Sequence, residues 1–228
     1  MNGNGPLSDR ANIHIDGFNL YHDCFDDHRN RPHWRQYRWL DLHLLSQNLC
    51  PRASINRIRN FTALVDPYSS NPDNRARQLT YLRALATIPH LCIHLGRFAT
   101  NEKERPLAMP NAPKPTPLVP LQMVHIIERE EKGSDVNLAS HLLVDAFKQE
   151  YDLAVVVSND SDLAEPIRLV RSEFGLKVRI VNPRKFLAYD LRGIADFNSN
   201  IKFGMLQQSQ FPTTMTDATG SFTKPGRW

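Results

Sequence analysis

The 228-residue sequence lacks the features that define several classes of protein. It contains no run of about 18 uninterrupted apolar residues, so no membrane-spanning helix is expected. The first residues, MNGNGPLSDR, lack the basic and apolar regions of a signal peptide. Three widely spaced cysteines without a CxxC pair argue against both a disulfide framework and a zinc ribbon. We therefore expect a cytoplasmic protein without a membrane partner.

The sequence also lacks a large excess of positive or negative charge and a histidine motif for metal binding. The formal net charge is only +4, and 41% of the residues are hydrophobic, as in ordinary soluble globular proteins. The nine histidines form no HExxH motif, so a zinc site of that kind is not expected. Function must therefore be sought in the distribution of the charges along the chain.

Apolar patterns along the chain predict alternating strands and helices. Strands are predicted at 11–16, 58–65, 90–98, 121–127, 153–157 and 177–181. Helices are predicted from residue 17, over 40–49, 75–87 and 134–149, after residue 162, and as a short turn near 186–191. This alternation predicts an α/β fold with three layers, in which helices flank a mostly parallel central sheet.

Composition also suggests domain boundaries. Residues 1–10 are predicted to be a flexible leader, and residues 11–206 one domain. Six prolines between positions 106 and 120 predict an extended loop over 101–120, inserted between two strands of that domain. Residues 207–228 show no core periodicity and are predicted to be a disordered tail.

The stretch YDLAVVVSNDSDLAE, residues 151–165, is the most informative part of the sequence. Its apolar run, 153–157, suits a strand covered on both faces, and the strand ends directly before Asp160 and Asp162. Ligands of open α/β sheets bind beyond the carboxyl ends of the strands. Asp160 or Ser161 could instead cap the next helix, but one cap leaves the other carboxylate unexplained.

Carboxylates follow two further predicted elements. Asp16 ends the first strand, and Asp135 opens the helix after the fourth. Each could be a helix cap, but together with Asp160 and Asp162 they would meet at one edge of a parallel sheet. Gathering like charges costs free energy unless a cation neutralises them. Oxygen ligands of this kind favour Mg²⁺ or Mn²⁺ over zinc.

Three motifs together resemble a known family. IHIDGFNLYH, KGSDVNLASHLL and YDLAVVVSNDSDLAEPIRLVRSEFGLKVRIVNP are similar to the NYN domain family of PIN-like ribonucleases, which includes bacterial LabA-like proteins. The resemblance covers roughly residues 11–198. It implies a PIN-like fold that cuts RNA with Mg²⁺ or Mn²⁺.

The resemblance also implies roles for individual residues. Metal-binding and catalytic acids would be Asp16, Asp135, Asp160 and Asp162, with Asn19 and Ser158 orienting water or a phosphate oxygen and Lys132 offsetting charge. The chain departs from the family pattern at His141, where many relatives carry an acid six residues after Asp135. This departure concerns any second metal ion or peripheral water contact.

A basic and aromatic stretch, residues 27–38, is the candidate for gripping the substrate. Its arginines could neutralise phosphates while Trp34 and Tyr37 stack on unpaired bases of single-stranded RNA. The candidate residues are Arg29, Arg31, Trp34, Arg35 and Arg38. The alternative is a solvated loop with Trp34 folded into the core.

Two other functions remain open. A catalytically weak or silent RNA-binding or adaptor module would keep the fold and some acids. A phosphohydrolase with an aspartyl nucleophile would require a DxD pair directly after the first strand, where Asp16 is followed instead by Gly17 and Phe18. The sequence also leaves open whether the protein forms a homodimer.

Overall fold

The computed structural model describes residues 9–25, 32–65, 73–107 and 122–226. Within these ranges the strands are β1 (Arg10–Asp16), β2 (Ser54–Ala63), β3 (Leu91–Pro106), β4 (Met123–Lys132), β5 (Leu153–Val157), β6 (Lys177–Asn182), β7 (Phe197–Asn200), β8 (Thr214–Asp217) and β9 (Gly220–Thr223). The helices are α1 (Gly17–Phe25), α2 (Leu42–Leu49), α3 (Asp73–Leu85), α4 (Ser134–Phe147), α5 (Ala164–Phe174) and α6 (Phe203–Gln208). Short 3₁₀ helices lie at Pro32–Tyr37, Ser161–Leu163 and Tyr189–Leu191.

The central sheet has seven strands in the order β4-β3-β2-β1-β5-β6-β7. Every neighbouring pair is parallel except β3 and β4, which are antiparallel. The predicted α/β fold with a mostly parallel sheet is therefore confirmed. β1 and β5 lie side by side in its centre, so the acids that follow these two strands emerge next to each other.

The sheet is covered on both faces, which explains why β5, one of its two central strands, is apolar and buried along its whole length. One layer contains α1, α2, α3 and α6, packed on Ile13, Ile15 and Val155. The other contains α4 and α5, packed on Ala154 and Val156. Successive side chains of a strand point to opposite faces, so Asn12, His14 and Asp16 share the face that α4 covers.

The prediction of a loop over residues 101–120 is wrong for the first part of that range. Residues 101–106 continue β3, which pairs with β4 over ten positions from Arg97 to Pro106. β2 stops pairing with β3 at Gly96, so this two-stranded ribbon projects beyond the sheet. Repeated charged pairs, such as Lys103 with Glu128, support it. Residues 108–121 lie outside the described residues.

The disordered tail predicted from residue 207 is also wrong as far as Gly226. β8 and β9 form an antiparallel hairpin, and the ring of Phe222 is buried against the core. Arg83 of α3 donates two hydrogen bonds of 2.7 and 2.8 Å to Asp217, and its guanidinium lies 4.1 Å from the Phe222 ring centre. Trp39 Nε1 donates to the carbonyl of Pro212 at 2.8 Å. Tertiary partners far away in sequence therefore order a segment that lacks periodicity of its own.

Most other predicted boundaries agree with the structure to within a few residues. β4 begins at Met123 and continues to Lys132, so the acidic residues expected to lead into a helix belong to a strand. The predicted helix near residues 186–191 is reduced to the 3₁₀ turn Tyr189–Leu191. Across the described ranges, no helix has both the length and the apolar character that crossing a bilayer requires.

Candidate active site

The first acid of the site is fixed by a close approach of two strands. Asp16 ends β1 with 2% of its surface exposed, and α1 begins at the next residue. A Cβ atom at Gly17 would lie 2.8 Å from the carbonyl oxygen of Phe61 in β2. Only glycine lets the chain turn from strand to helix there without moving β2. The glycine after Asp16 is therefore explained by packing.

Hydrogen bonds fix Asp16 to the start of α1 and to the end of β5. The backbone amide of Asn19 in α1 donates to Asp16 Oδ1 at 2.9 Å, and the hydroxyl of Ser158 donates to Asp16 Oδ2 at 2.9 Å. The amide of Asp160 donates in turn to Ser158 Oγ at 3.0 Å. These contacts hold the carboxylate of Asp16 beside Asp160.

Asp160 satisfies the cap interpretation and still lies at the site. It precedes the 3₁₀ helix Ser161–Leu163, and its Oδ1 accepts a hydrogen bond of 3.0 Å from the amide of Asp162. The side chain of Asp162 is exposed. Capping therefore accounts for the hydrogen bond that one oxygen of Asp160 accepts. It also fixes the carboxylate at the edge of the sheet.

Asp135 reaches the same edge by an indirect route. β4 runs antiparallel to β3. Its carboxyl end reaches this edge because β3 continues beyond the sheet and β4 then runs back toward it. Gly133 makes the turn at φ +107°, a backbone conformation that favours glycine, and α4 follows. Glu131 accepts hydrogen bonds from the amide and hydroxyl of Ser134 at 3.2 and 2.9 Å. Asp135 is in the first turn of α4, but Gly133 occupies its cap position.

These carboxylates line one cavity of about 370 Å³, called here the acid cavity. Its described lining residues are Asp16, Phe18, Asn19, His22, Phe98, Glu131, Asp135 and Asp160. The structure thus brings together three of the four predicted acids. Asp162 lies outside this described lining.

Electrostatics sets the acid cavity apart from an ordinary polar surface. Burial, followed by the negative charges of Asp16 and Asp160, raises the pKa of Asp135 to about 6. Burial also raises the pKa of Asp16, against hydrogen bonds from Asn19 and Ser158 that lower it. Both carboxyl groups therefore resist ionisation, as expected where like charges gather without a counter-charge.

The donor set of the acid cavity fits a hard divalent cation. In the part of the chain that the structure describes, no three His, Cys, Asp or Glu side chains are grouped so that they could hold a metal ion by themselves. Mg²⁺, however, keeps several water ligands and is held through one or two carboxylates rather than by an all-protein cage. An open cavity with Asp16, Asp135 and Asp160 on its wall matches that mode of binding.

Two residues predicted to contact substrate have other partners. Ser158 is 1% exposed, and its buried hydroxyl donates a hydrogen bond to Asp16 instead of facing the acid cavity. Lys132 extends into solvent, where its ammonium lies 2.7 Å from Glu130. The predicted role of Ser158 as a direct substrate contact is therefore wrong, because the hydroxyl is buried. The proposed offsetting of charge by Lys132 is likewise not supported.

Asn19 and Asn159 connect the two halves of the site. The side-chain oxygen of Asn19 accepts a hydrogen bond of 3.2 Å from the amide of Asn159. Asn19 also lines the acid cavity. Its side chain therefore helps to fix the end of β5 and still borders the space that a substrate would enter.

The predicted stacking role of Trp34 is wrong. Its side chain is buried against the core, with its ring centre 6.2 Å from that of Phe203. This is the alternative stated above, a loop whose tryptophan belongs to the core. Arg29 and Arg31 lie outside the described residues.

Arg35 and Arg38 line a second and larger cavity of about 720 Å³, called here the basic cavity. Arg77 of α3 lines it as well, and Phe18 and His22 border both cavities. The guanidinium of Arg38 donates to the carbonyl of Phe25 at 2.8 Å and lies 5.1 Å from the ring centre of Tyr21. A basic space thus adjoins the acidic one.

Glu131 and the aromatic wall of the acid cavity were not predicted. The rings of Phe18 and Phe98 meet edge to face with centres 5.9 Å apart. Glu131 pairs with Phe98 across the ribbon, so its position depends on the antiparallel register of β3 and β4. Sequence alone offered one signal for Glu131, an acid four residues before Asp135.

His141, where many family members carry an acid, lies away from the acid cavity. Its ring centre is 4.2 Å from that of His94 and 5.9 Å from that of Phe61, farther along the α4 face. Burial, followed by the charge of Arg59, lowers the pKa of His141. The departure from the family pattern therefore affects packing behind the site and leaves the described lining of the cavity unchanged.

Comparisons with known proteins agree with this architecture. A family model described as NYN domain matches residues 10–199. The protein 6-hydroxy-3-succinoylpyridine 3-monooxygenase HspA from Pseudomonas putida (strain DSM 28022 / S16) is 28% identical over 193 residues, which cover 76% of this chain and 59% of that protein. The chain thus spans less than two thirds of that relative's length.

One solved structure supports the fold. The crystal structure of a protein of unknown function from Vibrio parahaemolyticus RIMD 2210633 aligns with a TM-score of 0.52 and 16% sequence identity. The alignment covers 87% of this chain and 96% of that chain. At this identity the likeness concerns the arrangement of helices and strands alone.

Proposed function

The chain belongs to the NYN domain family, a nuclease-type family of the PIN-like superfamily, and on that premise we propose that it is a metal-dependent ribonuclease. It hydrolyses phosphodiester bonds of single-stranded RNA with Mg²⁺ or Mn²⁺. The observation that carries this proposal is the acid cavity, where three carboxylates from separate elements meet without a counter-charge on its described wall.

In this proposal Asp16, Asp135 and Asp160 hold the ion, and Asp162 contributes at the rim through water. When bound, the ion lowers the pKa of a coordinated water and stabilises negative charge on the phosphate. Glu131 faces the same space and accepts a proton or orients the attacking water. The raised pKa values of Asp16 and Asp135 support this assignment, because a cation would favour their ionised forms.

Asn19 and Ser158 are positioning residues in this mechanism. Ser158 holds Oδ2 of Asp16 and the amide of Asp160 at once, so it fixes the distance between two acids. Asn19 donates a hydrogen bond from its backbone amide to Oδ1 of Asp16. Side chains held from two directions keep their geometry as substrate binds, which favours catalysis by positioning.

The basic cavity offers a path for the substrate. Arg35, Arg38 and Arg77 supply positive charge beside the carboxylates, separated from them by Phe18 and His22. An RNA strand that crosses this boundary would place its phosphates near arginines and its scissile phosphate near the acids. Such contacts release counterions and make binding depend on salt concentration.

The alternative is an RNA-binding or adaptor module with weak or no activity. A third possibility comes from the relative named a monooxygenase, whose activity can be tested directly by reductant consumption with a hydroxylated pyridine. Neither alternative requires that the three acids act together on a phosphodiester.

The test is cleavage of a fluorescent single-stranded RNA with and without Mn²⁺. Wild type should cleave only with the ion, and Asp160→Asn should lose activity by at least about a thousandfold, the scale of removing an essential catalytic group. The control is Glu173→Gln near the C-terminal end of α5, whose side chain is exposed. If Asp160→Asn cleaves like the control, the acid cavity is not the active site. If wild type binds RNA without cleaving it, the adaptor alternative stands.

A further inference from the structure

The segment after β6 lies at the same edge of the sheet as the acid cavity and is tied to it by one side chain. The Oδ1 atom of Asn159 accepts a hydrogen bond of 2.9 Å from the amide of Ala188, and its Nδ2 donates to the carbonyl of Phe186 at 3.4 Å. Asn159 directly precedes Asp160 and is 7% exposed. The backbone around Phe186 is therefore anchored one residue from a proposed metal ligand.

Two aromatic rings of this segment face solvent. Phe186 is 72% exposed and Tyr189 is 80% exposed. The backbone between them is held by Asn159 and by the 3₁₀ turn Tyr189–Leu191, whose Leu191 is buried in the core. Large apolar rings held outward on a fixed backbone are typical of interaction sites.

Each exposed ring has a cation beside it. The ammonium of Lys185 lies 5.2 Å from the ring centre of Phe186, and the guanidinium of Arg192 lies 5.8 Å from that of Tyr189. Both cations are themselves exposed. An exposed ring with a positive charge next to it matches how proteins hold single-stranded nucleic acid without reading its sequence.

We propose that Phe186 and Tyr189 form a stacking platform for unpaired bases of single-stranded RNA, with Lys185 and Arg192 neutralising the adjoining phosphates. The platform holds nucleotides on one side of the acid cavity while the basic cavity lies on the other. This inference rests on the proposed function for its substrate class and adds where the bases of that substrate are held.

Direct binding measurements test the platform separately from cleavage. Fluorescence anisotropy in EDTA compares a 12-nucleotide single-stranded RNA with an oligomer of the same length and charge whose central nucleotides are abasic. Phe186→Ala and Tyr189→Ala should each weaken binding of the intact strand by about tenfold, the scale of losing one base stacked on an aromatic ring. Binding of the abasic oligomer should not change, because it retains the phosphates.

Two further variants make the result specific. Phe147→Ala removes a ring that is 76% exposed at the far end of α4, and should leave binding of both oligomers unchanged. Phe186→Trp should restore or strengthen binding of the intact strand, because the larger ring stacks at least as well. A loss in Phe186→Ala that tryptophan does not rescue contradicts the platform.

The outcomes separate this inference from the proposed nuclease activity. If wild type cleaves RNA and the alanine variants bind the intact strand like wild type, the platform is overturned while the nuclease stands. If wild type binds RNA in a manner that depends on Phe186 but never cleaves it, the platform stands and the nuclease fails. Equal losses on the intact and abasic oligomers would also overturn stacking, since they point to a general disturbance of the segment.

Discussion

His14 and Asp16 lie two residues apart on β1 and face the same helix, α4, yet their surroundings balance charge in different ways. Around Asp16 the neighbouring ionisable groups of the acid cavity are mostly carboxylates. Around His14 the fold brings together Asp145, Arg59 and Asn12, so that a buried carboxylate meets a cation and an amide. We call this second group the buried ion-pair cluster.

Asp145, the carboxylate of the buried ion-pair cluster, has its charge compensated within the fold. Asp145 is 1% exposed and accepts hydrogen bonds of 2.8 and 2.7 Å from Arg59 and one of 3.2 Å from Asn12. Burial acts to raise the pKa of Asp145, but the contacts with His14 and Arg59 outweigh it and hold the pKa well below its usual range. Burial lowers the pKa of His14, so its ring is neutral near pH 7.

The difference between the two groups separates a structural role from a functional one. A buried carboxylate is tolerated where the fold supplies a cationic partner, as at Asp145, because a buried charge without a partner is strongly destabilising. The acids around Asp16 lack such a partner on the described wall of their cavity, and two of them have raised pKa values. An external cation would supply the acid cavity with the positive charge that Arg59 supplies to Asp145.

The largest expected effect on stability is at Asp145. Asp145→Asn leaves the guanidinium of Arg59 buried without its counter-charge, so unfolding should become easier by roughly 3–5 kcal/mol. For a domain of this size the melting temperature should fall by roughly 6–20 °C. Thermal denaturation followed by circular dichroism measures the change. RNA cleavage well below the melting temperature should remain near wild type.

A double variant sharpens this result. Replacing both charges, in Arg59→Met with Asp145→Leu, should recover much of the lost stability because no unpaired buried charge remains. Asp16→Asn provides the opposite pattern, loss of cleavage with little loss of stability. If Asp145→Asn melts like wild type, the pairing of Asp145 with Arg59 does not stabilise the fold.

The acids of the site were predictable because each follows a strand or opens a helix in an apolar pattern. Asp16 and Asp160 stand directly beyond the buried strands β1 and β5, and parallel neighbours place such ends together. Asp145 gave no such signal, because it lies within a helix where an acid usually faces solvent. Its partner Arg59 lies 86 residues away in sequence, and the pairing follows only from the packing of α4 on β2.

The features that sequence reasoning missed depend on contacts between distant segments. The ribbon places Asp135 at the edge of the sheet only through the register of β3 with β4, which prolines nearby obscured. The C-terminal hairpin is ordered by Arg83 of α3, not by a pattern of its own. Trp34 sits in a basic stretch that resembles an RNA-binding loop, but Phe203 packs on it. In each case tertiary contacts outweighed local composition.

A smaller effect concerns the binding of the proposed cation to the acid cavity. An ion that binds only the folded protein stabilises it by about 1.4 kcal/mol at tenfold excess over its Kd. The melting temperature of wild type should therefore rise by roughly 3–6 °C with Mn²⁺ compared with EDTA. Asp160→Asn should melt at or above wild type in EDTA, because removing one charge relieves repulsion, and should respond less to Mn²⁺.

Asp145→Asn serves as the contrasting control in this experiment. It should be less stable in both buffers but keep the full response to Mn²⁺, since the acid cavity is intact. If Asp160 acts only as a cap, Asp160→Asn should instead lose on the order of 1 kcal/mol in EDTA. A wild type indifferent to the ion would then remove the metal site from the proposal.

The smallest expected effect is the pH dependence that Asp135 gives to the metal-free protein. Its pKa in the folded state is raised to about 6, above the ordinary value of an aspartate in an unfolded chain. The folded state therefore binds a proton that the unfolded state releases, and this favourable contribution is present in full below about pH 4 and is lost as pH rises through 6.

Asp135→Asn removes the titration. The stability of the variant relative to wild type should thus rise between pH 4 and pH 7, by on the order of 1 kcal/mol because the half-buried site is partly screened by solvent. Urea denaturation in EDTA at intervals of one pH unit measures this difference. The depressed pKa of Asp145 has the opposite sign, and its stabilising contribution falls only as pH drops below about 5, so Asp145→Asn should show no such rise. A relative stability of Asp135→Asn that is flat from pH 4 to pH 7 would mean that neither burial nor the neighbouring carboxylates raise the pKa of Asp135 in solution.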